Sequence, residues 1–264
     1  MPSGDFIMIP KLLDKQTLQL INRKQLGYSL GIAEKDYFLA MALKVLSKSP
    51  LYKTLVFKGG TAIHHCYLPQ SRFSEDLDFT SLDKKLTAEA VTSIFAPYPF
   101  FEVKKLFTSN ATIKIERLKY SGVLDVPNSL KFEIDFIQNV VLPAKQLPYQ
   151  NVWGIDVTVN VMDVQEIFAE KLRAMSDRAR YRDFYDFYLL SQAHSFSLDE
   201  TLALVSQKEV RKPISQESIL RNWKTASAQR HDEIELVRYK QDVFNDERGI
   251  EKFLEDLKFD TIES

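Results

Sequence analysis

The stretch "FKGGTAIHHCYLPQSRFSEDLDF", Phe57–Phe79, decides how the rest of the chain is read. The sequence holds eight glycines, and two of them, Gly59 and Gly60, are adjacent here. The apolar run just before them, "KTLVF", reads as a short buried strand ending in the glycine pair. Thr61 then opens a short helix as its expected N-cap. A strand that turns through Gly-Gly into a helix offers bare backbone N–H groups to a phosphate at a positive helix end. A tight turn needing positive φ would select the same two residues.

The second half of the stretch carries acids. In a strand, residues i and i+2 share a face, so Asp76 and Asp78 point one way and Leu77 the other. Carboxylates about 6–7 Å apart at their Cα atoms can share a hard cation, Mg²⁺ or Mn²⁺. Alone, the pair is equally a solvated strand face. The order strand, Gly-Gly, helix, strand with D-x-D is more specific. It sets a phosphate-holding turn beside a metal-holding strand, as transfer of a nucleotidyl group from an NTP requires. His64, His65 and Cys66 are consecutive, so their side chains diverge, and no second cysteine offers zinc spacing.

Outward from this stretch, period-two patterns mark a sheet with one packed and one polar face. "ATIKIERLKY" sets Ile113 and Ile115 against Lys114 and Glu116. "SLKFEIDFIQ" sets Leu130, Phe132, Ile134 and Phe136 against Lys131, Glu133 and Asp135. "GIDVTVNV" reads as a further strand. If the strand with Asp135 neighbours the Asp76–Asp78 strand, Asp135 becomes a third acid of the site, and a third metal ligand. A wet strand face explains it equally well.

Helical patterns flank this block. Upstream, "GIAEKDYFLAMALKVLSKSP" is a helix apolar over much of its circumference, stopped at Ser49-Pro50. After Met162 the chain turns helical throughout. "DVQEIFAEKLRAMSDRA" has Asp163 as N-cap, Glu166 at the capping-box position, and a stripe of Val164, Phe168, Leu172 and Met175. "YRDFYDFYLLSQA" is a second helix, with Asp183 and Asp186 on one face. Further helices are expected near Leu198–Ser206, Gln216–Trp223, His231–Val243 and Glu247–Leu257. Lys171 could bind a triphosphate as a point charge, with these acids orienting it or acting in proton transfer, or be a surface charge answering Asp177, Asp183 and Asp186; spacing alone does not choose. Arg178, Arg180 and Arg182, with Tyr181, Phe184 and Tyr185, could touch an RNA backbone, bind the triphosphate, or be surface charges over an aromatic core.

Composition bounds the function classes. The 264 residues, 45% hydrophobic and 12% aromatic, suffice for one large or two ordinary domains. A net charge of -1 excludes a global basic field, so any nucleic-acid contact must use a local patch. The single cysteine excludes an intrachain disulfide and fits a reducing compartment. No apolar run approaches membrane length, and the first residues lack the pattern of a signal peptide. A cytoplasmic protein without membrane contact is expected.

"FKGGTAIHHCY", "RFSEDLDF", "EKLRAMSDR" and "RDFYDFYLL", with "AEKDYFLAMAL" upstream, resemble the AbiEii/MenT nucleotidyltransferases, toxin components of type IV-like toxin–antitoxin and phage-defence systems. The matches run in the family order from about Glu34 to Leu190. The resemblance implies an α+β fold: a polymerase-β-like nucleotidyltransferase domain, residues 1–162, then a C-terminal helical bundle, residues 163–264. It implies nucleotide contacts at Gly59, Gly60 and Thr61, phosphate contacts at Arg72 and Ser74, and metal-binding acids at Asp76 and Asp78; Arg178 is a further candidate for the triphosphate from its place beside Lys171. It further implies a catalytic Lys171 and a motif of Arg182, Asp183 and Asp186. The expected reaction moves a nucleotide from an NTP to an acceptor hydroxyl, in some relatives at the tRNA 3′ end. A cognate antitoxin is an expected partner. The same core could instead modify a protein or small molecule, or persist as an inactive binding module.

Overall fold

The computed structural model describes residues 9–208, 210, 212–231, 239 and 247–263. Its centre is a seven-stranded mixed sheet in the order β3-β4-β5-β2-β1-β7-β6. The strands are β1 (Leu55–Lys58), β2 (Asp76–Ser81), β3 (Phe101–Thr108), β4 (Thr112–Tyr120), β5 (Asn128–Asp135), β6 (Lys145–Pro148) and β7 (Thr158–Val161). β2 lies antiparallel to β1 and parallel to β5, and β1 lies parallel to β7.

The alternation in β5 sorts its residues as expected. Leu130, Phe132 and Ile134 are fully buried, while Lys131, Glu133 and Asp135 face the other side. The packed face is closed by α2 (Leu30–Ser47), which lies against β5 and β7. Phe38 of α2 stacks on Tyr120 of β4 with ring centroids 4.2 Å apart. Truncating so buried a ring would cost about 3–5 kcal/mol. The helix stops where the sequence places the stop, before a 3₁₀ turn over Pro50–Lys53.

Several elements depart from the sequence reading. β7 is shorter than "GIDVTVNV", because Gly154 takes positive φ (72°) and Asn151 ties up the loop by bonding Trp153, Ile155 and Tyr149. β3 was not foreseen: it is an edge strand, nearly all exposed, so no apolar alternation marks it. β6 at the opposite edge was missed for the same reason. Two short helices, α1 (Lys15–Ile21) and α4 (Ala88–Ser93), were also missed. Thr61 is not an N-cap. The helix α3 (Gly59–Ala62) begins at the glycines themselves, capped by Lys58, and continues as a wider π turn, Ile63–Tyr67.

After β7 the described chain is helical: α5 (Val164–Asp177), α6 (Tyr181–Ala193), α7 (Leu198–Val205), α8 (Gln216–Ala228) and a helix over Glu247–Asp256. The helix expected over His231–Val243 falls mostly outside the described residues. Asp163 caps α5 as expected, accepting from Gln165 N at 2.9 Å. Glu166 forms no capping box. Its carboxylate turns to the loop after β5, accepting from Val141 N (2.9 Å) and Leu142 N (2.8 Å), and pairs with the buried Lys208. No helix of the described residues is long and apolar enough to cross a membrane.

Candidate active site

Strand register builds a charged row on the polar face. Lys58 of β1 stands opposite Asp78 of β2, Asp78 opposite Glu133 of β5, and Glu133 opposite Lys114 of β4. Cross-strand partners share a face, so the signs run plus, minus, minus, plus. Asp76 sits two residues before Asp78, opposite Lys131. Residues of α5 and of the turn into α6 face this row across a cleft of about 1090 Å³.

The glycine pair belongs to the wall of this cleft. Gly59 has φ +78°, and a Cβ there would lie 2.6 Å from Asp78 Oδ2. A Cβ on Gly60 would lie 2.9 Å from Ser74 Oγ and collide with the Arg72 guanidinium. Only glycine lets this turn rest against the acids and the Arg72–Ser74 segment. Thr61 is fully buried, its Oγ1 donating to Asp76 O at 2.6 Å and lying 2.9 Å from Ser74 Oγ. It fixes the acid strand to the turn.

Asp76 and Asp78 are incompletely neutralised. Burial, then the charge of Asp76, pushes the Asp78 carboxyl up to about 6. Asp76 is also raised, by burial, against the opposing pull of Lys131 3.8 Å away. Asp76 Oδ1 is buried without a hydrogen-bond partner. Two crowded carboxylates with unused oxygens are the donor set a hard divalent cation takes. Asp135 does not join them. It lies one pair further along, opposite Thr80, with Oδ2 on Lys58 Nζ (3.1 Å) and Oδ1 accepting from Ile137 N (2.7 Å). Among the described residues, no three His, Cys, Asp or Glu side chains gather as a metal-binding group.

The helical wall is built on ion pairs. Lys171 Nζ lies 2.8 Å from Asp183 Oδ1 and 2.7 Å from Asp186 Oδ2. Asp183 also takes Arg178 Nε at 2.8 Å. Asp186 takes Arg72 Nε at 2.7 Å and Nη2 at 2.6 Å, and His64 Nε2 at 2.9 Å. Burial alone would raise both carboxyls. Lys171 with Arg178 holds Asp183 below the usual range, and Arg72 with Lys171 holds Asp186 well below it. Both acids are therefore anchors for cations and poor proton acceptors.

Not every expected role survives this geometry. Arg72, 2% exposed, lines the cleft with its guanidinium bonded to Asp186 and to Phe73 O. Arg178 caps α5 in extended conformation instead of continuing the face of Lys171 and Ala174. Tyr181, Phe184 and Tyr185 are buried, so no aromatic ladder accompanies the arginines. Conversely, the sequence reading missed Lys58, Glu133, Glu170 and His64. Lys58 is found by extending β1 one residue, which brings it into register with Asp78. His64 was weighed only as a zinc ligand, and nothing in the sequence pairs it with Asp186, 122 positions away.

A glycine turn packed on an acid pair is thus faced by a lysine held between two aspartates. The family described as "Nucleotidyl transferase AbiEii toxin, Type IV TA system" matches residues 42–262, and the chain belongs to it. It is a nucleotidyltransferase. The fold is shared with MenT4, a nucleotidyltransferase toxin from Mycobacterium tuberculosis, with a TM-score of 0.68 and 23% identity over 91% of this chain and 90% of that one. JHP933 from Helicobacter pylori is similar with a TM-score of 0.53 and 18% identity over 93% of each chain. No curated protein matches the sequence.

Proposed function

We propose that this nucleotidyltransferase is metal-dependent and transfers a nucleoside monophosphate from an NTP to a hydroxyl at an RNA 3′ end, tRNA being the favoured acceptor. Residues 1–162 are the polymerase-β-like catalytic domain, and residues 163–264 a helical bundle that closes the cleft. Asp76 and Asp78 hold Mg²⁺ or Mn²⁺, which would neutralise phosphate charge and polarise the α-phosphorus. The N–H groups of the Gly59–Gly60 turn, Ser74 and Lys171 hold the phosphates. Asp183 and Asp186 hold Lys171, and Arg72 holds Asp186. The acceptor hydroxyl releases its proton to solvent as its oxygen bonds to the α-phosphorus, the bond to the bridging oxygen breaks and pyrophosphate leaves.

The observation that carries this reading is the contact of Gly59 with Asp78, which leaves no room for a side chain between turn and acid. The RNA acceptor is supported by Lys131, Arg173, Arg178, Arg180, Arg182 and Lys212, which line the cleft of a chain with no net basic charge. The toxin role, and a cognate antitoxin that would silence it, follow from membership of the family.

The test is incubation with each labelled NTP, Mg²⁺ and cell extract, followed by RNase or protease. Label released by RNase supports the reading. Label released by protease assigns a protein acceptor. Absence of transfer, or transfer by Asp76→Ala and Asp78→Ala equal to wild type, overturns it.

A further inference from the structure

The cleft continues past the acids. β5 passes Asp76 at Lys131 and Thr80 at Asp135, and the next residues, Ile137 and Gln138, line its far end. This loop is held rigidly. Ile137 N and Gln138 N donate to Asp135 Oδ1 at 2.7 and 3.3 Å. Asn139 O accepts from Lys208 Nζ, and Val141 N and Leu142 N donate to Glu166. Lys208 and Glu166 are themselves fully shielded from solvent. Gln138 is thus presented on a fixed loop.

Its side chain is nevertheless unsatisfied. Gln138 is 6% exposed, and its Oε1 is buried with no hydrogen-bond partner. Opposite stands α5, where Arg173 lies one turn beyond Glu170 and has a buried Nε, also without a partner. Lys58 bridges the two sides, 3.1 Å from Asp135 and 3.7 Å from Glu170, and Gln138 and Arg173 line the same cleft. An orphaned acceptor and an orphaned donor each cost desolvation free energy that a ligand would recover. Ile137, Ile167, Val210 and Ile214 line the same cleft and give it apolar surface. Within an otherwise charged cleft, these side chains offer a flat heteroaromatic ring an apolar surface.

We infer that this end of the cleft receives the nucleobase of the NTP and that Gln138 determines which base is preferred. The inference rests on the nucleotidyl-transfer reading. A base edge that gives an N–H to Gln138 Oε1 and an acceptor to Arg173 Nε satisfies both orphans. A base with the reverse order leaves both unpaired. Such mismatches discriminate strongly, because the buried groups stay unmatched.

The test measures calorimetric affinity for each of the four NTPs in Mg²⁺, and kcat/KM for label transfer, in wild type, Gln138→Leu and Arg173→Lys. Gln138→Leu removes the orphan at nearly constant volume, so its melting temperature should equal or exceed that of wild type. Its ratio of affinities between the best and next-best NTP should shrink roughly tenfold or more. Arg173→Lys, which keeps the charge and loses the Nε donor, should narrow the same ratio. An unchanged ratio in both variants overturns the inference, as does a lower melting temperature for Gln138→Leu with the ratio intact. Failure of the wild type to transfer any nucleotide overturns the catalytic reading instead, and the affinity ratios still decide the role of Gln138.

Discussion

Arg72 and Asp186, 114 positions apart in sequence, meet in a buried two-pronged ion pair, Nε to Oδ1 at 2.7 Å and Nη2 to Oδ2 at 2.6 Å. The pair ties the segment that leads into β2 to α6. Lysine cannot reproduce the fork. Removing one member of a buried pair strands the other, a loss of about 3–5 kcal/mol. Arg72→Ala and Asp186→Ala should each lower the urea midpoint accordingly, and Arg72→Lys should recover little of it. Urea titration followed by circular dichroism checks this. A midpoint for Arg72→Lys equal to wild type would show that charge alone suffices.

Gly59→Ala should abolish transfer far more than stability. The methyl would have to displace the Asp78 carboxylate, and φ +78° adds strain. Displacement of a catalytic group by about 1 Å costs on the order of 10²-fold in rate. Initial rates with labelled NTP, alongside a thermal melt, separate the two effects. A wild-type rate in Gly59→Ala would remove the close-approach argument.

Asp78→Asn should raise stability while it removes activity. The carboxyl is held up to about 6 by burial and by Asp76, so ionising it at neutral pH opposes folding. The amide keeps the shape and loses the charge. An increase in the melting temperature at pH 7.5, without added metal, is expected together with loss of transfer. A decrease would mean that Asp78 is already well compensated.

His64 should cost stability on mild acidification, while protonation of Asp78 acts in the opposite direction over the same range. Its Nε2 faces Asp186 at 2.9 Å and its Nδ1 faces Ser71 Oγ at 3.2 Å, partners that fit the neutral Nε2–H ring. Burial pushes its value down to about 4, and the charge on Asp186 is already answered by Arg72 and Lys171. The unfolded ring, near 6.5, binds the proton first. The His64 contribution is therefore retained above about pH 6.5 and declines as pH falls toward 4. Urea midpoints between pH 7.5 and 5 measure the slope, and His64→Gln should tilt it toward greater stability at the lower pH. Equal slopes in both proteins would exclude His64 as the source.

What the sequence discloses depends on range. The glycine turn, the same-face acids and the alternation of β5 are local patterns, and each is where periodicity places it. The family resemblance carried the reading past residue 162, linking Lys171 to Asp183 and Asp186, which spacing alone left open. Register is different in kind. Whether Glu133 or Asp135 stands beside Asp78 depends on how two strands distant in sequence align, and a two-residue shift along β5 exchanges them. Partner choice is similarly hidden: nothing adjacent to Arg72 says that it will meet Asp186. Edge strands escape too, since β3 buries so little that its residues obey no pattern.

The tie between Arg72 and Asp186 also governs how substrate arrives. Were the sheet and the helices to swing apart as a clam opens, the guanidinium and carboxylate would separate in a dry interior. The His64 contact with Asp186 would be broken with them. The molecule is built as a fixed vice, with its jaws already at working distance. Nucleotide capture should then be a one-step encounter, its observed rate rising linearly with concentration and free of a slow isomerisation.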